Sequence, residues 1–239
     1  MDDHAVAAEL AREAGELLLE IRDQGGAVGD RRSNDLLLKR LAELRPDDAV
    51  LSEESTDDPI RLSRSRVWIV DPLDGTREYG QPPRADWAVH VALAVDGRAE
   101  IGAVALPVPG LVLETGAPPV LPSAQDGPPR IVVSRSRPPA CVHHLTAALG
   151  AETIPMGSAG AKAMAVVRGD ADIYAHSGGQ YEWDSCAPVA VAAAAGLHTS
   201  RLDGSPLIYN QPDPYLPDLL ICRPELADEV LKALADFGV

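Results

Sequence analysis

An apolar run, Trp68-Ile69-Val70, leads directly into Asp71-Pro72-Leu73-Asp74-Gly75-Thr76. A strand here delivers two carboxylates, three residues apart, into a turn that ends in Gly-Thr. Oxygen donors of this kind suit a hard divalent cation such as Mg²⁺, and the fixed φ of Pro72 lets both carboxylates and the Leu73 carbonyl point into one pocket. Gly75 and Thr76 then offer backbone N–H groups and a hydroxyl where a phosphate on the metal needs donors. A plainer reading stands beside this one, because Asp and Gly dominate turns in which Asp merely caps its own backbone. Two further acidic sites weigh against it. Ser52-Glu53-Glu54 follow the apolar pair Val50-Leu51, and Trp183-Asp184-Ser185-Cys186-Ala187-Pro188 open a long Ala/Val run. A strand-end Glu, a paired Asp and an Asp opening a helix make up the ligand inventory of a Mg²⁺ site for phosphoryl transfer.

The elements that must position these residues follow from periodicity. Val6, Leu10, Leu17, Leu18 and Ile21 recur at helical spacing and predict a helix over 4–22, broken by Gly25-Gly26. A second helix is expected from Ser33 to Leu44, then a short strand ending at Glu53 and another over 67–70 before the Asp-x-x-Asp turn. Runs at 87–95 and 101–106 flank Asp96-Gly97, a strong hairpin signal. Strands are expected at 111–114, 131–134, 172–175, 197–199 and 219–222, and helices at 139–149, 158–168, 184–195 and 224–236. The Pro/Gly-rich stretch 117–129 reads as a linker. It divides an N-terminal half, 1–125, with most of the metal ligands, from a C-terminal half, 126–239, with Asp184 and the substrate contacts. The fold class is α/β, in a layered α+β arrangement.

Composition limits the function. A net charge of −15 over 239 residues argues against binding a nucleic-acid polymer, which needs a basic surface. A small anionic substrate stays compatible, because bound cations invert the local sign. Three unpatterned cysteines, Cys141, Cys186 and Cys222, fit a reducing compartment and neither a disulfide framework nor zinc. Cys186 reads as a small buried residue in preference to a nucleophile. The N-terminal segment lacks a basic and apolar leader and no run approaches a membrane span, so a cytoplasmic protein is expected.

The motifs 51–55, 71–76 and 183–188, in this order, resemble the signature of the inositol monophosphatase superfamily of Mg²⁺-dependent, Li⁺-sensitive phosphomonoesterases. Finer features are similar to the 3′(2′),5′-bisphosphate nucleotidases of the CysQ type. They are Arg77-Glu78-Tyr79 after the first motif, Val132–Arg137, Gly157–Lys162 and the stretch from Tyr181 to Asn210. The resemblance implies a five-layer αβαβα sandwich with the metal site in the cleft between the halves, two or three Mg²⁺ per subunit and a homodimer. It implies that Asp71 bridges two ions, that Glu53 and the Leu73 carbonyl complete the first, and that Asp74 and Asp184 hold the second. Glu54 is the neighbouring alternative to Glu53, since strand alternation turns only one of them inward. Asp184 also fits a helix N-cap, a role compatible with ligation.

Thr76 is the expected partner of the nucleophilic water, and the resemblance pairs it with an Asp in the loop before the second helix. Counting back from Glu53 places Asp30 there, although the family's usual Thr-x-Ala-Asp is missing; a turn residue or helix cap is the other reading of Asp30, and Asp35 the lesser candidate. Ser134, Gly157, Ser158 and Lys162, with Gly75, Thr76 and Asp184, are the candidate substrate contacts. Lys162 either neutralises a second phosphate or is a solvated helix lysine. Arg77, Arg135 and Arg137 are further cations near the motifs. Trp183 reads as packing, and the histidines, which lack metal spacing, as structural or exposed.

The resulting expectation is a Mg²⁺-dependent phosphatase that removes the 3′-phosphate of 3′-phosphoadenosine 5′-phosphate, and of its phosphosulfate analogue, in sulfate assimilation. A sister phosphatase acting on inositol 1-phosphate or fructose 1,6-bisphosphate is the nearest rival. A non-catalytic binder of a phosphorylated metabolite is the rival from another class.

Overall fold

The apolar runs become two sheets and seven helices in a computed structural model that describes residues 1–238. In chain order these are α1 (Asp3–Glu20), α2 (Gly26–Leu44), β1 (Ala49–Ser52), β2 (Arg66–Asp74), the single turn α3 (Thr76–Tyr79), β3 (Ala88–Val95), β4 (Arg98–Leu106) and β5 (Leu111–Glu114). After the 117–129 segment come β6 (Arg130–Ser134), α4 (Ala140–Leu149), β7 (Glu152–Met156), α5 (Ala159–Val167), β8 (Ile173–Tyr181), α6 (Glu182–Ala194), β9 (His198–Ser200), β10 (Tyr215–Cys222) and α7 (Ala227–Phe237).

The first sheet runs in the order β1-β2-β3-β4-β5 and the second in the order β7-β6-β8-β10-β9. On one side α1 and α2 bury Val6, Leu10, Leu18, Leu37 and Leu41 against the first sheet. On the far side α4 and α7 cover the second sheet, with Val142, Leu145, Val230 and Leu234 in that core. Between the sheets lie α5 and α6, whose Ala/Val surfaces face both. This is the αβαβα layering that the resemblance implies. Small side chains are what the middle layer requires, because two sheets close on the same pair of helices.

Several elements differ from the sequence-based expectation. Helix α2 begins at Gly26, not Ser33. Of the two glycines only Gly25 breaks the chain, at φ 86°. Gly26 lies where a Cβ would meet the Thr76 side chain. Asp30 is therefore inside a helix and not in a loop. The Asp-x-x-Asp motif is likewise not a turn: β2 runs through Asp74, with an irregularity in its pairing to β3 between Asp71 and Asp74. Strand β7 lies outside the expected elements; it contains Pro155, which is tolerated because β7 is a sheet edge. Helix α6 starts at Glu182, which makes Asp184 its third residue and not its cap. The hairpin forms as expected, with positive φ at both Asp96 and Gly97. Among the described residues no helix is long and apolar enough to cross a membrane.

Helix α6 carries Asp184 and lies on β4 at Gly102. A Cβ on Gly102 would stand 2.7 Å from the Ala187 carbonyl oxygen and 2.9 Å from the Ala190 Cβ. Gly102→Ala therefore overpacks this crossing and lowers stability by about 1–3 kcal/mol. Chemical denaturation checks this, and an unchanged midpoint would show that the α6–β4 contact yields freely.

Candidate active site

Strand β2 and helix α6 approach the same point from different layers. Carboxylate oxygens of Asp71, Asp74 and Asp184 lie within 4.8 Å of one another. Glu53, just past β1, is not among these mutually close oxygens but lies near enough for Asp71, Asp74 and Asp184 to act on its charge. Although Glu53 as a residue is exposed, its carboxyl pKa is pushed up to about 7, by desolvation first and then by the charge of Asp184. Asp184 is likewise raised to about 7, by burial and by Asp74. Asp71, fully buried beside the other three, is raised well above the usual carboxylate range by burial and by Glu53. Acidic groups so crowded together, without a nearby cation for Asp71 or Glu53, fit a divalent metal, and an all-oxygen donor set fits a hard one.

Asp74 differs from its neighbours. Burial would raise its pKa, yet it lies at about 2 because His90, Ser158 and Lys162 overcome that effect. Its Oδ2 accepts from the Ser158 hydroxyl at 2.5 Å and the Gly160 N–H at 2.6 Å, and Oδ1 accepts from the Ala159 N–H at 3.1 Å. Asp74 thus sits on the N-terminus of α5, where helix amides favour an anion. His90 Nε2 stands 3.2 Å from Asp74, while Nδ1 donates to the Trp183 carbonyl at 2.9 Å. With Nδ1 holding one proton, facing Asp74 favourably requires a second on Nε2. Asp74 accordingly raises the His90 pKa against the effect of burial. His90 therefore links the neighbourhood of Asp74 to the backbone of Trp183, the residue before Asp184. Sequence reasoning left it among the structural histidines; the available signal was a lone polar residue in a central apolar strand, which needs a buried partner.

The proposed water-activating pair meets. The Thr76 hydroxyl lies 3.3 Å from Asp30 Oδ1 and 3.3 Å from the Leu73 carbonyl, the two acceptors competing for its one proton. Asp30 is raised to about 6, by burial and by Glu54, although Thr76 opposes this. The Asp71–Asp74 backbone is fixed from both sides, by Ser33 Oγ donating to the Pro72 carbonyl at 2.7 Å and Leu73 N–H donating to Asp71 at 3.0 Å.

Asp74, Gly75, Thr76, Ser134, Gly157, Ser158, Lys162 and Asp184 all line one cleft of about 250 Å³. Some of their donors are already committed. The Gly157 N–H donates to Asp86 at 2.6 Å, and the Ser158 hydroxyl both donates to Asp74 and accepts from Ala161 N–H. Lys162 is not a solvated helix lysine: it is buried, donates to the Gly157 and Ser158 carbonyls at 2.6 Å each, and lies over the Tyr174 ring. Arg77, Arg135 and Arg137 line the same cleft. Arg135 pairs at 2.5 Å with Glu78 across it, a contact the sequence did not reveal. His176, another wall residue, has its pKa lowered to about 4 by burial. Cys186 is buried with its thiol pKa pushed well up by desolvation, so it offers no thiolate. Trp183 stacks on Tyr181, as expected of a packing residue.

The raised carboxyls carry a stability consequence. A group whose folded pKa is raised stabilises fully below its unfolded value, near pH 4, and this is lost as the pH rises through the folded value, here about 7 for Glu53 and Asp184. The metal-free protein is expected to lose thermal stability between about pH 4 and pH 7. Added Mg²⁺ should raise the melting temperature more at pH 8 than at pH 5, and Asp71→Asn should flatten the dependence. Scanning calorimetry at several pH values checks this; equal effects of Mg²⁺ at both ends would contradict it.

Comparison with known proteins agrees with this geometry. The inositol monophosphatase family model matches residues 3–118 and 130–236. A 3′-phosphoadenosine 5′-phosphate phosphatase of Mycobacterium leprae is 52% identical over 256 residues, covering 99% of this chain and 94% of that protein. One of the same name from Mycobacterium bovis is 54% identical over 240 residues, covering 94% and 90%. The crystal structure of CysQ from Bacteroides thetaiotaomicron superposes with a TM-score of 0.76 at 27% identity, covering 92% of this chain and 96% of that one. With the family model matching both halves around one shared acidic cleft, the chain belongs to the inositol monophosphatase family.

Proposed function

We propose that the protein is a Mg²⁺-dependent phosphatase that releases the 3′-phosphate of 3′-phosphoadenosine 5′-phosphate to give AMP and phosphate. The observation that carries this reading is the similarity, across 99% of the chain, to a phosphatase named for that substrate. The cleft adds support, because Arg77, Arg135, Arg137 and Lys162 stand around the acidic cluster where a second phosphate needs cations. The phosphosulfate analogue has the same 3′-phosphate and is proposed as a second substrate, with a role in sulfate assimilation and a cytoplasmic location. The homodimer that the resemblance implies is checked by a mass measurement in solution.

In this reading Asp71, Asp74, Asp184, Glu53 and the Leu73 carbonyl hold the Mg²⁺ ions. Bound Mg²⁺ neutralises phosphate charge and acidifies water. The chain's own residues do the remaining work. Gly75 and Thr76 begin α3, whose first amides have no intrahelical acceptor and so are available to phosphate oxygens. Thr76 and Asp30 form a short relay in which the Thr76 hydroxyl accepts a proton from the attacking water as it passes its own to Asp30. Ser158, His90 and the α5 amides keep Asp74 ionised and in place. The Thr76–Asp30 contact favours the catalytic reading over a non-catalytic binder, since such a binder has no use for a proton relay.

Phosphate release from 3′-phosphoadenosine 5′-phosphate, inositol 1-phosphate and fructose 1,6-bisphosphate, side by side and with or without Li⁺, tests the proposal. The nucleotide should dominate, with the rate suppressed by Li⁺; preference for a sugar or inositol phosphate would discard the nucleotide reading and keep the metal centre. Asp71→Asn should abolish turnover, and Asp30→Asn should lower kcat by about 10²–10⁴-fold. Unchanged release in Asp71→Asn would overturn the ligand assignment.

A further inference from the structure

Arg61 is almost fully buried within a stretch that is otherwise largely exposed. It lies in a short 3₁₀ turn, Pro59–Ser63, between β1 and β2. Its Nε and Nη2 form a two-pronged pair with Asp57 at 2.6 and 2.9 Å. Nη1 donates to the Asn210 side-chain oxygen and to the Gln211 carbonyl, both at 2.9 Å. Asn210 Nδ2 donates back to the Arg61 carbonyl at 2.9 Å. The backbone N–H groups of Asn210 and Gln211 then donate to the two carboxylate oxygens of Glu182, at 2.6 and 2.7 Å. Asn210 holds φ 58°, a left-handed conformation that Asn tolerates and that helps aim consecutive amides at one anion.

Both ends of this chain of bonds lead to candidate metal ligands. Glu182 is buried and opens α6, so fixing it fixes the first turn that carries Asp184. At the other end, Asp57 and Arg61 close the loop that begins at Glu53. The start of that loop is held by Asn34, which accepts from the Ser52 hydroxyl at 2.7 Å and donates to Ser55 at 3.1 Å. Burying an arginine is a poor source of net stability, because desolvation offsets the pairing. Bidentate and backbone-directed bonds do, however, fix direction and distance.

We propose that the relay Arg61–Asn210/Gln211–Glu182 is a positioning device for the metal centre. It sets the distance between Glu53 and Asp184, two candidate ligands carried by segments far apart in the sequence. The inference rests on the metal-centre reading given under Proposed function. Arg61 touches no candidate ligand and acts through Glu182 and the Glu53 loop, as outer partners of metal ligands do elsewhere.

Calorimetric titration of Mg²⁺ into the metal-stripped full chain tests this, using wild type, Arg61→Met, Arg61→Lys and Asn210→Gly. Wild type should bind Mg²⁺, and each variant should bind about 10–100-fold more weakly. Lysine should not rescue, because it lacks the planar fork. At saturating Mg²⁺, kcat should recover most of its wild-type value. Asn210→Gly keeps the left-handed backbone accessible and carries the test alone if Arg61→Met does not fold. A lower melting temperature with unaltered Mg²⁺ affinity would overturn the inference and leave Arg61 a structural residue. A wild type that binds no Mg²⁺ would overturn the metal-centre reading itself, and the relay with it.

Discussion

Like charges held together are the constraint on which the rest of this structure depends. Asp71, Asp74 and Asp184 converge within 4.8 Å, with Glu53 beside Asp71. Left to themselves such groups repel and separate, or neutralise by taking up protons. The fold holds them by treating each differently. Asp74 is stabilised as an anion by two α5 amides, the Ser158 hydroxyl, His90 and Lys162. Asp184 is fixed by accepting the Tyr181 N–H at 2.7 Å in the first turn of α6. Asp71 accepts only the Leu73 N–H, at 3.0 Å, and stays raised well above the usual range; it and Glu53 are the ones whose charge calls most directly for a cation.

The layered core serves this convergence. The first sheet brings Glu53 and the Asp pair to adjacent strand ends through the parallel β1–β2 register. Helix α6, packed between both sheets, brings Asp184 from the other half of the chain. Its close seat on Gly102 leaves little freedom to drift, and His90 connects β3 both to Asp74 and to the backbone beside Asp184. Stability and function thus meet in the middle layer. The same small residues that allow two sheets to share α5 and α6 place a helix N-terminus under Asp74.

The convergence of Asp71, Asp74 and Asp184 was legible because their chemistry is local. Asp71 and Asp74 end one apolar strand and Asp184 lies in the first turn of an Ala/Val helix, so residue type and spacing singled them out. The Asp96-Gly97 hairpin and the five-layer architecture were legible for the same reason, one from turn chemistry and the other through the resemblance the motifs carry. The rest depends on contacts between distant segments. The start of α2 was misread because two glycines look like a break, whereas Gly26 exists to let the helix approach Thr76. That approach is what brings Asp30 to the Thr76 hydroxyl. Lys162 stayed open between a phosphate contact and a solvated lysine because nothing in its own helix shows that two carbonyls and the Tyr174 ring enclose it. Glu78–Arg135, Asp86–Gly157 and the Arg61 relay all join segments far apart in sequence, and no local pattern encodes them.

The central claim is that carboxylates from both halves form one metal centre in the cleft. Anomalous diffraction from crystals grown with Mn²⁺, a hard cation of similar ligand preference with a usable signal, tests it most directly. The account predicts anomalous peaks within about 2–2.6 Å of oxygens of Asp71, Asp74, Asp184 and Glu53. Peaks confined to other surface carboxylates, with the cleft empty, would contradict it.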